Sequence, residues 1–97
     1  MIIEPIELDS GTAIGLKLDM EHAPLLVIRA PRGFVMCGYL DITTAERLGD
    51  VAAKVTGVRN FEDVLAASVV EVTTSAEDIG IKTGISAKEA LELMFRS

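Results

Sequence analysis

Ala30-Pro31-Arg32-Gly33-Phe34-Val35-Met36-Cys37-Gly38-Tyr39-Leu40-Asp41 holds the only cysteine and the only tyrosine of the chain, and its reading decides the fold. Pro31-Arg32-Gly33 suits a tight turn, because proline fixes one φ and glycine accepts a positive one. From Phe34 to Leu40 no residue is charged. In a strand, Phe34, Met36, Gly38 and Leu40 face one side and Val35, Cys37 and Tyr39 the other. Neither side is polar, which predicts a central strand covered on both faces. Gly38 beside Cys37 removes a side chain and marks either a bulge or a close approach to the backbone. Asp41 stops the apolar run, and Thr43 opens a helical pattern.

Working outward, Met1 to Leu8 reads as a first strand, and Asp9-Ser10-Gly11-Thr12 as a turn. In Thr12 to Met20, Ile14, Leu16, Leu18 and Met20 alternate with Gly15, Lys17 and Asp19. The two strands form a hairpin with one dry face and one mixed face, and the mixed face is expected outward, either solvated or as an assembly surface. Changes at Gly15 or Lys17 would then split an oligomer. Glu21-His22-Ala23-Pro24 turns the chain into Leu25-Leu26-Val27-Ile28, again apolar on both sides. Two-faced strands in so short a chain need a second layer, and another subunit is the expected one.

Downstream, Thr43 to Val55 predicts a helix, with Thr43 and Glu46 as a capping box and Ala45, Leu48, Ala52 and Val55 as its inner stripe. Gly49 inside it implies close contact with a neighbouring backbone. Asn60 caps a short helix from Phe61 to Leu65 or Ala66, with Glu62 and Asp63 in its first turn. Ser68 to Ser75 is almost wholly β-branched and predicts a strand. Ser75 to Asp78 reads as one helical turn. Ser86 caps a last helix with Glu89 at the box position. The fold class is therefore α+β: a mixed or antiparallel sheet with an N-terminal β-hairpin region and two or three helices on one face. Residues 1–97 form one domain, with 1–40 mainly β and the expected oligomerisation region.

Composition narrows the function classes. The chain has 97 residues and a formal charge of −6. The acidic excess is spread evenly, and no basic run exists to grip a nucleic-acid backbone. One cysteine precludes an intrachain disulfide framework and fits a reduced cytoplasmic thiol. No stretch of 18 apolar residues and no basic leader occurs, so neither a membrane span nor a signal peptide is expected. Aromatics are only 4% of the residues, so the core rests on aliphatic side chains and gains from subunit packing.

Three sets of residues in order, Gly33 to Asp41, then Gly57-Val58-Arg59 with Glu62 and Leu65, then Ala76 to Lys82 with Gly84, resemble the YunC-like family of small uncharacterised bacterial and archaeal proteins. The resemblance spans almost the whole chain. It implies an α+β domain whose N-terminal β region builds an oligomer, a tetramer, and it implies no known activity.

Cys37 is the leading chemical candidate, since a thiolate is a strong nucleophile where a cation or a helix N-terminus favours it. The alternative is a small buried hydrophobe. The functional set expected near it is Cys37, Asp41 and Arg59 for catalysis and Gly38, Tyr39 and Glu62 for ligand binding. Arginine offers forked donors to a carboxylate or phosphate, or it pairs with Glu62 or Asp63. His22 reaches the site only if its loop folds over it. Zinc needs three or four ligands, and neither His-x-x-x-His nor Cys-x-x-Cys spacing occurs, so no metal is expected. Gly33 to Gly38 lacks the Lys and Ser/Thr of a phosphate loop, and no cofactor is expected. Two readings follow. One is an oligomer binding a small ligand near Cys37, at or close to a subunit interface. The other is an enzyme with Cys37 as nucleophile and Arg59 as anion-stabilising partner.

Overall fold

Six strands pair in the order in which they occur along the chain, because each is joined to the next by a short turn or a single short helix. The computed structural model describes residues 1–97. Strands β1 (Ile2–Glu7), β2 (Thr12–Asp19), β3 (Pro24–Ala30) and β4 (Gly33–Met36) form an antiparallel meander. Helix α1 (Ile42–Leu48) then crosses over to β5 (Ala52–Lys54), which runs parallel to β4. Helix α2 (Phe61–Ala66) leads to β6 (Glu71–Val72), antiparallel to β5, and α3 (Thr74–Asp78) and α4 (Ala87–Arg96) complete the chain. The α+β class with a mixed sheet is as expected from the sequence.

Register assigns the two faces, because partners across a ladder point the same way. Glu4, Gly15, Ile28, Val35, Ala53 and Val72 align across all six strands. This face carries the main core: Ile28, Val35 and Ala53 pack with Phe61 and Val64 of α2 and with Ala87, Ala90, Leu91 and Met94 of α4. The next row, Ile3, Leu16, Val27 and Met36, points to the other face. There α1 covers only the β4–β5 end, where Met36, Ala45 and Ala52 cluster with Phe34, Leu40 and Ile42.

The hairpin is therefore inverted relative to the sequence reading. The dry face of β2 is outward, with Ile14 53% and Leu18 38% exposed, and the mixed face is inward. The reason is steric. A Cβ on Gly15 would sit 2.7 Å from the Phe61 ring, so the glycine opens the seat for that ring. Gly15 is thus no assembly residue.

The helix expected over Thr43 to Val55 ends at Leu48, which is 71% exposed. Gly49 adopts φ 79 and caps the helix with its N–H to Ala45 and Glu46 carbonyls. It touches no neighbouring backbone, since a Cβ there would meet nothing within 4 Å. The cap is Asp41 and not a Thr43–Glu46 box; Glu46 Oε1 instead accepts from Thr74 N at 2.8 Å. Of the strand expected over Ser68 to Ser75, only Glu71–Val72 forms a ladder. Val69 N donates to Ile85 O and Gly84 N to Val69 O, so that segment pairs with the approach to α4. Helix α3 begins at Thr74, one residue earlier than expected, because buried Thr73 caps it, accepting from Ala76 N while donating to Asp50 O at 2.7 Å.

A long-range latch closes the fold. Glu92 of α4 accepts from Asp9 N at 2.9 Å and Ser10 N at 2.8 Å, holding the β1–β2 turn. The Ser10 side chain first, then the Ser10 and Asp9 N–H groups and Lys88, lower its pKa against partial desolvation. A folded-state pKa below the unfolded one contributes stability that is present above the ordinary glutamate value of 4.5 and is lost as pH falls through the folded value. Urea unfolding followed between neutral pH and the acid side of 4.5 should show this loss in the native protein. Glu92→Gln should be less stable at neutral pH and flatter across the acid window; an unchanged slope would remove the latch. Gly33→Ala should cost about 2 kcal/mol or more, since its Cβ would lie 2.4 Å from Val51 O at φ 149. Gly49→Ala, with only its φ to strain it, should cost about 1 kcal/mol.

Candidate functional site

The candidate cleft lies beyond the carboxyl ends of β4 and β5, the one parallel pair in the sheet. Open sheets with parallel strands commonly receive ligands there, because the chain leaves both strands in loops at the same edge. Here those loops are Cys37-Gly38-Tyr39 after β4 and Gly57-Val58-Arg59 shortly after β5.

Cys37 sets where β4 ends. Its N–H donates to Leu26 O at 3.1 Å, continuing the ladder with β3. The return bond is different: Leu26 N donates to Cys37 Sγ at 3.3 Å, in place of the Cys37 carbonyl. That carbonyl accepts instead from Leu40 N at 3.2 Å and closes a turn. The sulfur thus frees the backbone to leave the sheet, and the strand expected to reach Leu40 stops at Met36. Cys37 is 3% exposed, with Val35 behind it in the main core.

The second loop turns at Gly57, whose φ is 71. Arg59 follows and is held by its backbone: Arg59 N donates to Asp63 Oδ2 at 3.1 Å, while Asp63 N donates to Asn60 Oδ1 at 2.7 Å. This reciprocal cap engages Asp63 with the main chain and leaves the Arg59 guanidinium free. The ion pairs in the protein are His22–Glu21 and Lys54–Glu71, so Arg59 pairs with neither Glu62 nor Asp63.

With Ala23 and Pro24 at the start of β3, the two loops line a cleft of about 450 Å³. Cys37, Gly38, Tyr39 and Arg59 meet in it, beside Gly57 and Val58. Tyr39 is half exposed at its mouth. A second cleft of about 310 Å³ shares Ala23, Pro24 and Arg59 and is lined also by Lys17, Asp19, Glu21 and His22. His22 therefore sits next to the candidate site and not in it.

Asp41 and Glu62 lie elsewhere. Asp41 accepts from Thr43 N at 3.0 Å and from the Thr44 hydroxyl at 2.9 Å as the cap of α1. The Thr44 and Thr43 bonds, with Arg47 and Lys54 farther off, lower its pKa against slight desolvation. Glu62 lines a separate groove between β1 and α2, with Glu4, Glu7 and Leu65. Ala23 and Pro24 were not legible as site residues, because only the hairpin between β2 and β3 brings them beside Cys37. No group of three or more His, Cys, Asp or Glu side chains is placed to hold a metal ion. No helix is long and apolar enough to cross a membrane.

The sequence pattern of the family described as Domain of unknown function (DUF1805) matches residues 36–94. The chain is 38% identical over 95 residues to the uncharacterised protein YunC of Bacillus subtilis (strain 168), covering 94% of this chain and 92% of that one. Its fold is also that of a crystal structure of a protein of unknown function, TA1206 from Thermoplasma acidophilum. The TM-score is 0.91 and the identity 35%, over 96% of this chain and 91% of that one. The chain belongs to the DUF1805 family, to which the YunC-like resemblance pointed.

Cys37→Ala should leave the Leu26 N–H buried without an acceptor and destabilise the protein by about 1–3 kcal/mol. Cys37→Ser supplies an oxygen acceptor and should recover part of that loss. Equal stability of both variants and the native protein in denaturant titration would show that the sulfur does not hold the strand end.

Proposed function

We propose that this DUF1805 protein is a homo-oligomer that binds a small molecule in the cleft beside Cys37, close to a subunit interface. The carrying observation is the uncovered sheet face. Ile3, Leu16 and Val27 form one row across β1 to β3, and Ile14 and Leu18 flank it. Ile3 is 63% exposed and Ile14 53%. Isolated surface hydrophobes need no explanation, but a row running across three strands is a packing surface. The rest of the chain has nothing to place there: α1 covers β4 and β5, while α2 and α4 pack on the opposite face. A second copy meeting this face with its own supplies a matching flat apolar layer, as in sheet-on-sheet packing. Two such pairs would make the tetramer that the family resemblance implied.

Cleft and face adjoin. Pro24 lines the cleft, while Leu25, the next residue, pairs with Leu18 on the open face. A partner on that face therefore comes close to the cleft mouth. For the cysteine-enzyme alternative, thiol and guanidinium do share one cleft. No carboxylate or imidazole lines that cleft to take the thiol proton, which favours binding over catalysis.

Light scattering on the native protein should give a multiple of the 10.4 kDa chain mass. Ile14→Lys should lower that mass with unchanged circular dichroism, because Ile14 supports little within one subunit. A native monomer at low micromolar concentration, or an unchanged mass for the variant, would overturn the assembly. Iodoacetamide labelling of Cys37 across a pH series separates the two chemical readings. Labelling only after unfolding supports a binding cleft with a structural thiol; rapid labelling of the native protein that persists on the acid side supports thiol chemistry.

A further inference from the structure

Resting on the ligand-binding reading above, we infer that the cleft beside Cys37 is built for an oxyanion, a carboxylate or phosphate carried on a small apolar body. The charge pattern is the first support. In a chain of net charge −6, this cleft is lined by no carboxylate, and its one charged side chain is Arg59. That guanidinium has no acidic partner, although Glu62 and Asp63 follow it closely in sequence. Asp63 is engaged with the Arg59 backbone N–H, and Glu62 lines the groove beside β1. The local fold thus draws both acids away from the arginine head.

The main chain points to the same chemistry. The N–H groups of Gly38, Tyr39, Gly57 and Val58 donate to no backbone or side-chain acceptor. All four residues line the cleft, two from each loop. Backbone N–H groups left without acceptors at turns are donors awaiting an anion or water. The space beside both glycines is open. A Cβ on Gly38 would meet only Thr56 Cγ2, at 3.7 Å, and one on Gly57 would meet nothing within 4 Å. Forked guanidinium donors and backbone N–H donors together suit a planar or tetrahedral oxyanion.

The rest of the lining sets the body of the ligand. Ala23, Pro24, Val58 and the Tyr39 ring offer apolar contact on the remaining sides. A volume of about 450 Å³ takes a small molecule and not a chain. The adjoining cleft carries Asp19 and Glu21 beside Lys17, so a second anionic group would be repelled there as much as attracted. A single charged head fits this arrangement.

Amide-resolved NMR on the full oligomer tests this with three probes: benzoate, inorganic phosphate and neutral benzyl alcohol. Benzoate should shift the Gly38, Tyr39, Gly57 and Val58 amides saturably. Arg59→Gln should weaken that binding about tenfold or more, Arg59→Lys less, and added salt should weaken it further. Inorganic phosphate shifting the same amides would assign the head to a phosphate. Benzoate acting alone would assign it to a carboxylate. Benzyl alcohol binding as well as benzoate, with no effect of Arg59→Gln, would overturn the oxyanion while leaving a ligand cleft in place. No shift of the four amides by any probe would overturn both.

Discussion

Phe34 N donates to Val51 O at 3.1 Å through a gap that only a glycine at position 33 leaves open. This close passage begins the parallel pairing of β4 with β5, and the candidate site depends on that pairing. A meander of antiparallel strands delivers its turns alternately to opposite edges. One parallel step through α1 delivers two loops to the same edge. Cys37-Gly38-Tyr39 and Gly57-Val58-Arg59 meet for that reason, although the second loop comes twenty residues after the first.

At that edge the cysteine has a structural task whatever else it does. A β-strand ends cleanly only if its last N–H and C=O groups find partners outside the ladder. Sγ accepts from Leu26 N, and the Cys37 carbonyl is released to the Leu40 turn. Cys37 also lines the cleft. Burial at 3% and a place in the cleft lining are therefore compatible, and neither one by itself implies reactivity.

Much of this was legible in the sequence. The uncharged run from Phe34 predicts a two-faced β4, and Val35 and Cys37 do face one core while Phe34 and Met36 face another cluster. The Asn60 and Ser86 caps follow from side-chain chemistry at helix starts, and both accept from the residue three places on. What failed was local pattern standing in for tertiary context. Ala52 and Ala53 are both fully buried, so a three-residue strand covered on both faces mimicked the stripe of a longer helix. Alternation along β2 says which residues share a face and nothing about which face meets the helices. That choice rests on Phe61 entering above Gly15, forty-six residues away. Reactivity and charge single out Cys37 and Arg59, and the parallel step brings them into one cleft with Gly38 and Tyr39. Asp41 and Glu62 are near that set in sequence alone: Asp41 caps α1 and Glu62 lines the groove beside β1.

Sheet, cleft and open face answer to one shortage. A six-stranded sheet has two sides, and a chain of 97 residues carries four short helices, the longest of ten residues. Three of the four contribute buried side chains to the main core and one covers the far end of the other side. The exposed apolar row over β1 to β3 is what remains, and it is not a sign of loose folding. The protein exposes 5349 Å², close to the roughly 5,400 Å² expected for a compact chain of this mass. On the proposed reading, a surface this apolar on a well-collapsed chain is covered by a second copy rather than by further folding. The β2–β3 turn that ends the row also supplies Ala23 to the cleft. On the proposed reading, burying the row fixes that turn and so fixes one wall of the ligand site, which ties assembly to binding through a single hairpin.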